Sequence, residues 1–272
     1  MHSDLIRMLV SRNLKIRYKG SALGFLWSLL TPLAMILIYA VFAGVLGMKR
    51  QLLGVATDAT FEYLPFLVTG IIVWQFTAGT LSDSLHAISG NANLVKKVYF
   101  PRAILPISTV LANAVNFLLT FAILLVYLAL TGALRLGAVY WLLPALALQL
   151  ALALGIALLV STLNVFFRDT EHIVGLLLLA WFFMTPIMYE TSLQITAASH
   201  FAWFPASLHG LVYLNPMTGI LALYRAALMG MDLLPAGIAP AWLLLSPATI
   251  LLLLAAGFHA LRVGDKTFCD VL

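Results

Sequence analysis

NVFFRDTEHIVGLLLLAWFFMTPIMY, residues 164–189, sets a knot of charge directly before an apolar run and closes that run with Thr185 and Pro186. A charge at the centre of a bilayer costs about 2.5–3.5 kcal/mol on insertion scales. Arg168, Asp169 and Glu171 together therefore mark a membrane boundary, and the run behind them faces lipid. The direction of that one crossing sets the direction of every other segment.

The rest of the chain has the same character. Of 272 residues, 63% are hydrophobic and only 9% charged, against about 25% charged in soluble domains; mean hydropathy is +1.05. So much continuous apolar surface cannot be buried in one soluble core, and lipid is the solvent for most of it. The formal charge of +5 reports orientation rather than nucleic-acid binding, because in a membrane chain the placement of Lys and Arg matters more than their sum. A single cysteine, Cys269, excludes an intrachain disulfide and a cysteine metal cluster. The basic N-terminal stretch and the run after it lack a small-residue cleavage site, so that run is read as a retained first span.

Six apolar segments are expected to cross the membrane, at about residues 26–46, 64–85, 104–130, 141–166, 173–189 and 241–261. The fifth is short against the roughly 20 residues a span needs, and Pro186 lies in its last turn. Ahead of the first, residues 4–19 carry Arg7, Ser11, Lys15 and Lys19 at helical spacing, with Ile6, Leu9, Val10 and Leu14 on another face. That pattern is an amphipathic helix lying in the headgroup plane. Between the fifth and sixth spans, Arg225 and Pro205, Pro216 and Pro235 interrupt every apolar run. Short re-entrant or interfacial helices fit there, since irregular backbone is tolerated where it packs on protein or lines a cavity.

The expected fold is thus all-α: one polytopic membrane domain of six spans, with an N-terminal interface helix and extracytoplasmic re-entrant helices. Six spans put both termini on one side. Arg7, Arg12, Lys15, Arg17, Lys19, Lys96, Lys97, Arg102, Arg168, Arg262 and Lys266 share that side, against Lys49, Arg50, Arg135 and Arg225 on the other. The positive-inside rule places the richer side, and both termini, in the cytoplasm.

No GxxxxGK[ST], HExxH, paired-cysteine or glycine-rich dinucleotide pattern occurs, so neither ATP hydrolysis nor resident-cofactor chemistry is expected on this chain. His2, His86, His172, His200, His209 and His259 are scattered without ligand spacing, and no metal site is expected. Acidic residues are missing from the span interiors apart from Asp83 near an end, which weighs against a proton- or sodium-coupled carrier. A membrane-embedded enzyme acting on lipid-linked sugars would gather acidic or His groups near one interface, and these are dispersed. What the spans do carry is aromatic: Phe25, Trp27, Tyr39 and Phe42 in and before the first, Phe66, Trp74 and Phe76 in the second, Trp181, Phe182 and Tyr189 in the fifth. Two readings stand, an interfacial belt with ordinary packing, or a conduit whose rings stack on the apolar faces of sugars.

Several stretches carry a resemblance in order along nearly the whole chain: LKIRYKGSALGFLWSLLTPL at 14–33, NLVKKVYFPRAILP at 93–106, FFRD and TPIMY at the two ends of the opening stretch, LNPMTGILALYRAALMG at 214–230, and the terminal TFCDVL. They resemble the permease subunits of bacterial ATP-binding cassette exporters of the O-antigen, capsule and teichoic acid type. There the terminal motif more often has Ala where this chain has Cys269. The resemblance implies a homodimer in the bacterial inner membrane around a conduit for a lipid-linked polysaccharide. Each subunit would bind a separate cytoplasmic ATPase that holds ATP and Mg. It implies a coupling helix at residues 91–100, with Asn91, Asn93, Lys96, Lys97 and Tyr99 facing the ATPase. Arg168, Asp169 and Glu171 would make either a second contact or an intramolecular ion pair. Re-entrant helices over 194–213, bearing Phe201, Trp203 and Phe204, would cap the conduit. A drug or lipid exporter of the same superfamily is the nearest alternative, and a scaffold subunit without a conduit is another.

Overall fold

The computed structural model describes residues 2–18, 26–45, 63–98, 100–167, 169–192 and 206–271. Among these every regular element is a helix. In chain order they are α1 (His2–Tyr18), α2 (Trp27–Val45), α3 (Tyr63–Leu85), α4 (Ala92–Lys97), α5 (Ile104–Leu130), α6 (Leu142–Phe166), α7 (Thr170–Met184), α8 (Pro216–Met229), α9 (Leu245–Gly264) and α10 (Phe268–Val271). Tighter 3-10 turns precede α4, α6, α8 and α9.

Among the described residues, four helical segments are long and apolar enough to cross a bilayer: Tyr63–Leu85, Ile104–Leu130, Leu136–Phe166 and Pro240–Gly264. The α3 helix is the axis of the bundle, with Phe66, Leu67, Val73 and Thr77 fully enclosed by packing against α5, α6, α7 and α8. Apolar side chains gain little by leaving lipid for one another, so helix association here depends on close fit. The tightest fit is α6 on α9. A Cβ on Gly155 would stand 2.7 Å from the Leu254 nitrogen, and one on Gly257 would collide with the Gly155 carbonyl. These two glycines let the backbones meet.

The fifth expected span differs. Instead of 173–189, the helix runs Thr170–Met184, taking Glu171 into its first turn and ending before Pro186. Proline disfavours α geometry in the residue before it and has no N–H to donate, and Thr185 is accordingly extended at φ −96° and ψ 135°. At 1.5 Å per residue, 15 residues reach about 22 Å, short of a roughly 30 Å hydrocarbon core. The charged residue at 171 suits the positive end of the helix dipole.

Beyond the break, the irregular region holds a 3-10 segment, Ala206–Leu214, and then α8. Asn215 caps α8 by accepting from the Met217 N–H at 3.1 Å, with Pro216 at its first position. Nearly every α8 residue is buried, Arg225 included. This helix is therefore wrapped by protein rather than laid on a surface.

At the other end of the bundle, α1 packs on α5. Leu9 of α1, Ile88, Val95 of α4, Ile104 and Leu105 of α5, and Phe268 of α10 form one apolar cluster, while Arg7, Ser11 and Lys15 face outward. The Arg12 guanidinium donates to Asn91 Oδ1 at 2.8 Å, and Arg102 pairs with Asp265 at 2.9 Å.

Candidate functional site

The break after α7 is where the candidate side chains converge. A helix that stops inside a protein leaves carbonyls without partners; those of Trp181, Phe183 and Met184 accept from Thr185, Tyr189 and Asn215, and Arg225 of α8 holds the backbone just past the end. Its two terminal nitrogens donate to the carbonyls of Pro186 and Ile187 at 2.8 and 2.9 Å. Its guanidinium lies 3.4 Å above the centre of the Phe66 ring, a cation–π arrangement that gains strength where water is excluded. The close approach of α3 is permitted by Gly70, where a Cβ would stand 2.9 Å from the Ile187 carbonyl and 3.0 Å from an Arg225 nitrogen. On the other side of the break, Asn215 donates to the Thr185 hydroxyl at 3.0 Å and accepts from the Trp181 indole N–H at 2.8 Å. Two side chains from α8 and its cap thus lock the end of α7 in place.

Trp181 and Phe182 meet Trp74 edge to face, at 5.4 and 5.8 Å between ring centres. Trp74 itself is buried, as are Phe66 and Phe76, and Phe76 packs on Phe117 at 4.8 Å inside the chain's own core. Those three rings support other elements, whereas Trp181, Phe182 and Tyr189 keep partial exposure and Trp27 is half exposed. Tyr189 donates to the Phe183 carbonyl at 2.7 Å. Phe25, the side chains of Tyr39 and Phe42, and Phe201, Trp203 and Phe204 lie outside the described residues.

The candidate coupling residues gather at the basic end. Val95 anchors α4 in the apolar cluster, which leaves Asn93, Lys96 and Lys97 exposed. Asn91 is tied down, accepting from Arg12 and donating to the Ala87 carbonyl at 2.8 Å. Asp169 is exposed, and Glu171 stands 3.3 Å from His86 at the end of α3. Tyr99 and Arg168 lie outside the described residues.

Three participants were not singled out from sequence as site residues. In the sequence Arg225 reads only as a break in an apolar run and a charge on the far side, although it is the one Lys or Arg in residues 206–231. Asn215-Pro216 is a helix-start pair legible in the chain. Gln149 had no signal beyond being an amide in a span; it donates to the Val73 carbonyl at 2.8 Å and accepts from Tyr224 at 2.5 Å, joining α3, α6 and α8. Tyr213, before α8, donates to the Leu233 carbonyl at 3.2 Å, and burial raises its pKa, so it remains a neutral donor.

The comparisons with known proteins agree with one another. An O-antigen export system permease protein RfbA of Klebsiella pneumoniae is 33% identical over 227 residues, covering 83% of this chain and 80% of that one. The protein of the same name from Myxococcus xanthus is 32% identical over 226 residues, with 83% and 80% covered. The polysialic acid transport protein KpsM of Escherichia coli is 26% identical over 232 residues, with 82% and 81% covered. The family described as ABC-2 type transporter matches residues 4–229, from α1 to the last residue of α8, and the chain belongs to that membrane family.

Proposed function

We propose that the protein is the permease subunit of an ATP-driven exporter that moves a lipid-linked polysaccharide out of the cytoplasm across a bacterial inner membrane. It would act as a homodimer with two ATP-binding cassette subunits, which hold the ATP and Mg. The single observation that carries this reading is α7. Only Thr170 and Val174 of that helix are buried by the chain itself, yet its end is locked by Arg225 and Asn215. An apolar, aromatic helix whose end is held in this way, and whose outer face its own chain leaves uncovered, has the surface to line a conduit. Rings and aliphatic side chains give a glycan contact without directional hydrogen bonds, so a polymer can slide along them. The names of the bacterial relatives favour a polysaccharide over a drug or a lipid alone.

The spans in this reading are α2, α3, α5, α6, α7 and α9, with the basic end in the cytoplasm by the positive-inside rule. The described residues between α7 and α8, with α8 itself, would form part of a re-entrant cap at the far side. Closure of the ATPase pair would press on Lys96, Lys97 and Asn93 of α4. Because α4 shares its apolar cluster with α1, α5 and α10, that push would reach the bundle rather than bend a loop. The His86–Glu171 contact offers the same push a route to the start of α7.

The test uses the exposed α7 face. In a background with Cys269 replaced by Ser, cysteines at Leu177 or Phe183, both more than 60% exposed, should cross-link two copies in native membranes. A trapped pair should stop export, and reduction should restore it. Monomers alone at every α7 position would overturn the shared-conduit reading.

A further inference from the structure

At the end of the bundle away from α1 and α4 lies a cavity of about 440 Å³, bounded by Phe66, Arg135, Glu190, Tyr213, Arg225 and Asp232. Five separate segments supply these residues, so the cavity is a product of the fold and not of one loop. Its size falls in the range of about 300–1,000 Å³ typical of sites for ligands larger than a single small group. Two guanidiniums and two carboxylates line it. Among the described residues the side chains of Arg135 and Asp232 have no hydrogen-bond or ion-pair partner, and both are exposed. Glu190 accepts from the Ser192 hydroxyl at 3.0 Å. Behind the rim the Arg225 guanidinium forms a flat floor, lying on the enclosed Phe66 ring, and Met229 and Met231 add apolar wall.

The charge balance selects the ligand. With two charges of each sign the lining is neutral overall, so neither a simple anion nor a simple cation gains net attraction from it. A neutral polyol satisfies both sets, its hydroxyls donating to carboxylates and accepting from guanidiniums, while its C–H face lies on flat or thioether surface. We infer that this cavity binds one or two neutral sugar units of the exported glycan on the far side of the membrane. The inference rests on the polysaccharide-export reading. It also links cargo to machinery, because the floor of the site is the side chain that holds the broken end of α7.

The experiment is saturation-transfer NMR on the full-length protein in nanodiscs. The probes are neutral gluco-, manno- and galacto-tetrasaccharides, a sialic acid tetramer and O-phosphoethanolamine, each at millimolar concentration. Transfer to ring protons of a neutral tetrasaccharide is expected. Arg135→Gln with Asp232→Asn should weaken it about tenfold, and Ala222→Trp, which fills the cavity from α8, should abolish it. Gel filtration of each variant shows whether the fold survives; at least one rim or filling variant that elutes as wild type decides the matter. No transfer to any sugar overturns the inference, as does transfer that both variants leave unchanged. Transfer to phosphoethanolamine alone makes this a lipid headgroup site, and to the sialic acid tetramer alone an anion site; either overturns it. Export measured in cells separates the two levels. If export proceeds without this protein, the polysaccharide reading falls. If export needs it but no tetrasaccharide binds, only the site falls.

Discussion

At the scale of single residues, Arg225 carries the most. It is 5% exposed, and removing a buried group so that its partners lose their hydrogen bonds costs about 1–3 kcal/mol for each group left unsatisfied. Arg225→Met frees two carbonyls at once and is expected to lower the detergent melting temperature sharply and reduce folded yield. Arg225→Lys keeps the charge but loses the two-point fork and the flat face on Phe66, so its melting temperature should fall between the two. Equal melting of Lys and Arg forms would mean that charge alone matters. Gly70→Ala tests the same clamp from α3. Its Cβ would press on the Ile187 carbonyl, which is backbone and cannot swing aside, so a loss of about 1–3 kcal/mol is expected, measured by the same melt. Gln149→Leu should cost a similar amount, because it strands the buried Tyr224 hydroxyl.

At the scale of elements, α4 and α7 divide the work. The α4 helix has six residues, too few to be stable alone, and it persists because Val95 is buried among side chains of α1, α5 and α10. Lys96→Glu with Lys97→Glu changes only its exposed face. Insertion and melting should stay as in the wild type, while export is lost and ATPase stimulation no longer follows substrate. Unchanged export would remove α4 from the coupling path. The α6–α9 crossing makes an independent prediction about stability. Gly257→Leu has no room against the Gly155 carbonyl, so the variant should fail to yield folded protein, whereas leucine at Gly175, with nothing within 4 Å, should be tolerated. The opposite order would mean that these helices pack differently.

At the scale of the whole molecule, the distribution of basic residues makes a topological prediction. With Cys269 replaced by Ser, a cysteine at Tyr140, 66% exposed before α6, should react with an impermeant maleimide in intact spheroplasts, and one at Lys266 only after permeabilisation. Reaction of both before permeabilisation would refute the three crossings, α6, α7 and α9, that separate them. The all-helical fold, the basic end, the amphipathic α1 and a helix leading away from the 168–171 knot were legible in the chain, because each depends on local spacing and on the cost of charge in lipid. The same local reading runs the fifth helix five residues too far, to Tyr189, because it sets Pro186 in the last turn, whereas the proline stops the helix at Met184. It also offered Phe66, Trp74 and Phe76 for the conduit alongside Trp181 and Phe182, since an aromatic residue looks alike whether it faces a lumen or a neighbour. Composition and periodicity by themselves determined that this is a helical membrane protein and which end is basic, since lipid permits few alternatives to any chain this apolar. Only the tertiary structure decided that Arg225 closes the break after α7, that Gln149 joins three helices, and that α7 is left bare. Those facts depend on which helix faces which, and that is set by contacts between residues 38 to 76 positions apart, beyond the reach of any local pattern.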